Sequence, residues 1–227
     1  MRIATVWVLA TLTLAGNAFA QADGGAARAT DGLVPMKSRM LDEVALRPDV
    51  DRSAYRKVIV EPARAELRKD WLKEQNQTRF PSRWLTQDDA RQITDEAAVR
   101  ASAVIANVFR DRGYEIATAP AAGVLRLSAA VTDLDVYAPD VPPPGILRYL
   151  QRDAGQATWR LEVRDAESGM LLARFVDRGT ATEVRQINRA SIPSNALWFD
   201  ALFLRWATAS AAAFAGAGSA DVAAAGR

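Results

Sequence analysis

Cysteine and histidine are both absent from this 227-residue chain. Without them it cannot build a Ser-His-Asp triad, a thiol nucleophile, a His-ligated catalytic zinc or the common haem sites. Carboxylate, Lys, Tyr and Ser chemistry is what remains. No disulfide can form either, so stability has to come from burial, which an apolar content of 49% permits. A one-sided charge is missing too, since 29 basic residues face 27 acidic ones. That balance argues against a general binder of nucleic acid, which would show a concentrated basic excess.

What is present begins with an address. Arg2 gives a positive start, Ile3 to Ala15 an apolar run, Gly16-Asn17 a break, and Ala18-Phe19-Ala20 the small residues a signal peptidase needs. Residues 1–20 are expected to be a cleaved export signal that delivers a periplasmic protein starting at Gln21. Cleavage would leave 207 residues with 28 basic and 27 acidic groups, enough for one domain with a real core. The Ala/Gly-rich stretch 21–30 is read as a flexible leader, 31–214 as a single domain, and 215–227 as a flexible Ala/Gly-rich tail.

Within the domain, residues 34–50 have scattered apolar positions and are expected to lie against it as irregular structure. Val58-Ile59-Val60 predicts a strand ending near Pro62, and the alternation of Ala63, Ala65 and Leu67 with charged residues extends it at a sheet edge. Lys73 to Thr78 reads as loop. Thr86 and Asp89 have capping-box spacing, and Ile93, Ala97, Ala101, Val104, Ile105 and Val108 trace the apolar face of a helix from about Gln87 to Arg112, stopped by Gly113. A strand follows over Val124 to Tyr137, with a bulge near Thr132-Asp133 where its alternation changes register. Gln156 to Asp165 and Met170 to Asp177 form a hairpin, with Leu171, Ala173 and Phe175 on its buried face. Asn195 to about Phe214 is a buried helix. Its Asp200 and Arg205 would be costly in a bilayer centre, so no transmembrane span is expected after signal cleavage. The fold class is α+β, a mostly antiparallel sheet packed against two main helices.

Few residues point to chemistry. Asp133 and Asp135 alternate on one strand, and two nearby carboxylates are what a glycosidase uses as acid and nucleophile. No aromatic-lined cleft accompanies them, and a charged strand end explains them as well. Asp133, Asp135 and Asp140 lack a loop of closely repeated oxygen ligands, so no metal and no cofactor are predicted. The hairpin is laced with charge, which cross-strand pairing explains, while Asp177 and Arg178 at its end could bind a polar ligand or partner. A Pro-rich connector, 138–155, places Ile146, Leu147, Tyr149 and Leu150 outside any regular pattern, either as a lid or as a partner contact. Trp198, Phe199, Phe203 and Trp206 surround most of the last helix, which fits a core or a homo-oligomer contact.

The segments LDEVALRPDVDRSAYRKVIVEPARAELRKDW (41–71), GVLRLSAAVTDLDVY (123–137) and WRLEVRDAESGMLLARFVDR (159–178) resemble the bacterial envelope family called domain of unknown function 3313. The resemblance is most specific at Arg47-Pro48, Tyr55 to Lys57, Pro62 and the Asp165 to Asp177 hairpin. It implies an exported α+β module of lipoprotein type and supplies no catalytic residues. The chain departs from that type in having no cysteine after Ala20. The expected function is a non-catalytic periplasmic binding or assembly module with an unidentified envelope protein as partner and no nucleic acid. A carboxylate-dependent hydrolase of envelope glycans and a small-molecule carrier with an apolar cavity under the last helix are the alternatives.

Overall fold

Thr86 and Asp89 close the capping box that their spacing predicts: the Thr86 side chain accepts the Asp89 N–H, and the Asp89 carboxylate accepts the Thr86 N–H at 2.7 Å. The long helix they start, Gln87–Asp111, is one of three in the computed structural model, which describes residues 31–137, 153–182 and 195–224. The chain divides into Met1–Asp31 and Gly32–Arg227, and every element named below belongs to the second unit.

In chain order these are β1 (Val34–Met36), β2 (Glu43–Leu46), β3 (Lys57–Val60), β4 (Arg64–Leu67), α1 (Trp71–Gln77), α2 (Gln87–Asp111), β5 (Glu115–Ile116), β6 (Val124–Val136), β7 (Asp153–Asp165), β8 (Leu171–Thr182) and α3 (Asn195–Ala224). The strands form one open sheet in the order β1-β2-β8-β7-β6-β3-β5, and β4 continues beside β6 beyond β3. Pairing is antiparallel from β1 to β6 and parallel where β3 and β4 meet β6 and where β3 meets β5. The parallel pairs follow from connectivity, because α1 and α2 carry the chain back between β4 and β5. The fold is α+β, as the sequence predicts.

Alternation along the strands sets the core. Leu125, Leu127, Ala129 and Val131 of β6, Ala157, Trp159, Leu161 and Val163 of β7, and Ala173 and Phe175 of β8 are buried. They join Ala101, Ile105 and Val108 of α2 and Trp198, Phe199, Phe203 and Trp206 of α3 in one cluster. Trp159 stacks on Phe203 and Trp206, with ring centroids 6.4 and 5.7 Å apart, which fixes α3 against the sheet. The bulge in β6 falls at the predicted place: pairing with β7 shifts between Thr132 and Asp135, and Asp133 takes φ +51°, a conformation aspartate tolerates better than most residues.

Four local expectations are corrected. Residues 34–50 are not irregular throughout, since they supply β1 and β2. Those strands have three and four residues; β2 finds its partner, β8, far along the chain and β1 pairs in turn with β2, so no local pattern announces them. Lys73 to Thr78 is mostly helix: α1 begins at the buried Trp71, and its residues are adequate helix formers once that side chain is anchored. A second small bulge sets Leu171 opposite Arg164, so Leu172 takes the core place beside Ala173 and Phe175. Helix α3 continues past Phe214 to Ala224, because alanine has the highest helix propensity and outweighs two glycines. The export signal, the leader, Asp140 and the connector residues Ile146, Leu147, Tyr149 and Leu150 lie outside the described residues.

Candidate functional site

Asp177 and Arg178 adjoin in sequence, and the strand pleat sends them to opposite faces of the sheet. Asp177 is opposite Trp159 on the helix-covered face and is 7% exposed. Its carboxylate accepts the Asp42 N–H at 3.0 Å and the indole N–H of Trp206, and Arg205 Nη2 lies 4.0 Å from Oδ2. Asp42 reciprocates by accepting the Arg178 N–H at 3.0 Å. One buried carboxylate therefore ties the approach to β2 and the middle of α3 to β8. Two residues on, Gly179 leaves the space in which α3 sits: a Cβ there would meet Arg205 Nη2 at 2.5 Å, Leu202 Cδ1 at 3.0 Å and Trp206 Cζ2 at 3.1 Å.

Arg178 faces away from the helices, opposite Thr158, and is exposed. The same face carries Arg160, also exposed, which lies opposite Ala130 on β6 and Val176 on β8. Arg160 and Arg178 are diagonal neighbours across β7 and β8, and among the described residues neither guanidinium has a hydrogen bond or ion pair. The other cations of this face differ. Glu162 receives Arg164 at 2.8 Å and Arg174 at 3.2 Å, and Glu61 receives Arg126 at 2.9 Å together with the Ser128 hydroxyl. Burial pushes the Glu61 carboxyl up, but the hydrogen bonds from Ser128 and Arg126 outweigh it and hold the group below its ordinary range. Sequence reasoning missed Arg160 as the companion of Arg178, although the period-two alternation of β7 places it on the solvent side.

The Asp133 and Asp135 carboxylates are parted by the bulge. Asp133 accepts the Thr158 hydroxyl at 3.1 Å, towards β7, whereas Asp135 receives Arg68 Nε at 3.2 Å, just beyond β4. Arg68 in turn forks onto Glu74 at 2.7 and 3.1 Å. Each carboxylate thus has its own partner in a different direction, and among the described residues no three acidic side chains gather into a metal-sized group. At the turn of the hairpin, Asp165 accepts the Ser168 N–H at 2.7 Å and the Tyr55 hydroxyl at 3.0 Å. Burial first, then this bond to Asp165, pushes the Tyr55 phenol up to about 12. The Ser168 amide leads the bonds that hold Asp165 below its usual value.

Two of the grooves on the described surface are of note. One, of about 510 Å³, runs between α1 and the start of α2 and is lined by Arg68, Asp70, Lys73, Asn76 and Gln87 among others. The second, of about 710 Å³, is mostly apolar and follows α3 past Met40, Ala201, Leu204, Thr208 and Ala212. Between sheet and helix, where a carrier would need a cavity, the rings of Trp159, Phe203 and Trp206 fill the space. Among the described residues no helix is long and apolar enough to cross a membrane.

Comparison with known proteins adds a family. The model of the family described as protein of unknown function DUF3313 matches residues 23–209. None of the curated proteins matches the sequence. Among solved structures, the chain is similar to a PelC variant dodecamer from Paraburkholderia phytofirmans, at 13% identity and a TM-score of 0.39 over 80% of this chain and 95% of that one. A PelC dodecamer from the same organism in another crystal form gives 15% identity and a TM-score of 0.36, over 74% and 91%. At these scores the likeness is loose, and the PelC assembly is no guide to how this chain assembles.

Proposed function

We propose that this chain, which belongs to the DUF3313 family of proteins of unknown function, is an exported, non-catalytic binding or assembly module of the bacterial cell envelope. The observation that carries the reading is the division of labour across the sheet. One face is committed to α2 and α3, and the other offers Arg160 and Arg178 as exposed cations with no partner among the described residues. Exposed arginines whose cross-strand neighbours are Ala130, Thr158 and Val176 favour an acidic protein surface, since guanidinium pairs bidentately with carboxylate. Asp177 serves this contact from inside, by holding β8 and α3 in place beneath Arg178. The connector residues Ile146, Leu147, Tyr149 and Leu150 are proposed as an apolar partner contact. Leu197 and Leu204 on α3, 47% and 52% exposed, support self-association through that helix.

The test uses cells that express the chain with its own leader. Osmotic shock should release protein beginning at Gln21. Cross-linking in intact cells should then capture an acidic envelope protein with the wild type and not with the Arg160→Ser/Arg178→Ser variant. Retention in the cytoplasm with the leader intact would refute export. An unchanged set of cross-linked partners in the double variant would refute the sheet face as the contact.

A further inference from the structure

Phe80 and Trp84 are the most exposed aromatic side chains among the described residues, at 78% and 56%. Both sit on one short connection between α1 and α2, turned by a 3-10 helical turn at Pro81–Arg83. Nothing about the loop is slack. The Asn76 carboxamide accepts the Leu85 N–H at 2.8 Å and donates to the Leu85 carbonyl at 2.9 Å, closing the loop at its base. Arg83 N–H reaches the Phe80 carbonyl at 2.8 Å, and the Trp84 indole N–H reaches the Arg79 carbonyl at 3.2 Å. The aromatic rings are therefore held out into solvent by a braced backbone.

The chemistry of the tip is specific. Trp84 uses its one polar group inside the loop, and Phe80 and Pro81 have none, so apart from the exposed Ser82 hydroxyl the tip presents apolar bodies. Cations flank it: residues 75–87 contain Arg79 and Arg83 and no carboxylate. Among the described residues neither guanidinium is paired, and the Arg79 Nε is shielded from solvent without a partner. Although the chain as a whole is nearly neutral, this loop is locally cationic. Apolar rings each next to an arginine match the boundary of a bilayer, where rings enter the headgroup layer and guanidinium groups meet phosphate.

We propose that the loop carrying Arg79, Phe80, Arg83 and Trp84 docks the protein on an anionic lipid surface. Phe80 and Trp84 enter the headgroup boundary, and Arg79 and Arg83 face lipid phosphates. This contact is separate from the sheet face that bears Arg160 and Arg178.

The experiment uses the exported full chain with vesicles of phosphatidylglycerol and phosphatidylethanolamine, compared with vesicles of phosphatidylcholine alone. Co-sedimentation should favour the anionic vesicles and weaken with added salt. Phe80→Ser/Trp84→Ser should lower partitioning at least tenfold. Each of Arg79→Ser and Arg83→Ser should lower it about fivefold, the change equivalent to about 1 kcal/mol per cation at an anionic surface. Arg160→Ser/Arg178→Ser should bind as the wild type does. Brominated lipid should quench tryptophan fluorescence, and the conservative Trp84→Phe should remove most of that quenching while keeping binding within about twofold. The proposal is overturned if anionic vesicles do not bind, if the aromatic variant binds like the wild type, or if quenching persists in Trp84→Phe.

Discussion

Gly155 is the position at which one methyl group should do most damage. It has φ +133°, and a Cβ built on it would lie 1.8 Å from the carbonyl oxygen of Asp135 and 2.9 Å from its carbonyl carbon. Both obstacles are backbone of the paired strand β6, so neither can swing aside as a flexible side chain would. The Phe199 ring at 3.2 Å closes the third direction and ties the clash to α3. Gly155→Ala must therefore open the ladder between β6 and β7 at its bulged end, besides forcing alanine into a conformation nearly reserved for glycine. Overpacking against backbone sits at the upper end of its usual range, about 2–3 kcal/mol, and the backbone strain adds about 1–2 kcal/mol, so about 3–5 kcal/mol together. Gly113→Ala is the matched control. Gly113 also has positive φ, +86°, yet nothing lies within 4 Å of its Cβ position, so it should cost only the backbone component, about 1–2 kcal/mol. Thermal unfolding followed by circular dichroism should show Gly155→Ala melting roughly 10–15 °C below the wild type and Gly113→Ala roughly 3–6 °C below, at about 3 °C per kcal/mol for a chain of this length. Equal losses in the two variants would refute the steric part of this reasoning.

Removing the buried carboxylate with Asp177→Ala would leave the Asp42 N–H and the Trp206 indole N–H without their acceptor, at a cost of about 2–4 kcal/mol by urea unfolding; a loss under about 0.5 kcal/mol would mean that water replaces it freely. Tyr55 should ionise late, near pH 12, in an absorbance titration at alkaline pH, and the late component should vanish in Tyr55→Phe. Because the folded state holds that proton more tightly than the unfolded chain, whose tyrosine titrates near 10, the stabilisation is complete below pH 10 and is lost as pH rises towards 12. Tyrosines that all titrate together near 10 would contradict the Tyr55 to Asp165 bond.

Where structure depends on neighbours in sequence, the residues alone were enough. The capping box at Thr86, the helix to Asp111 and the hairpin turn after Asp165 rest on contacts spanning a few residues, the bulge at Asp133 shows as a change of alternation within one strand, and all stand where the pattern places them. The α+β class was legible for the same reason, in runs of alternating and helical periodicity, and the family in the resemblance carried by segments 41–71, 123–137 and 159–178. Tertiary structure decided what depends on distant partners. Strand β2 exists because β8 supplies its ladder and β1 because β2 supplies the next, and α1 exists because Trp71 is buried and its indole N–H reaches the Val136 carbonyl at 2.9 Å. Pairing also settled which charges are occupied: Glu162 serves Arg164 and Arg174, while Arg160, equally charged and on the same strand, faces only Ala130 and Val176. A sequence states which residues are charged or aromatic. Only the fold determines which of them are buried and which, like Phe80, Trp84, Arg160 and Arg178, are left facing solvent, because that depends on contacts between segments that local pattern does not encode.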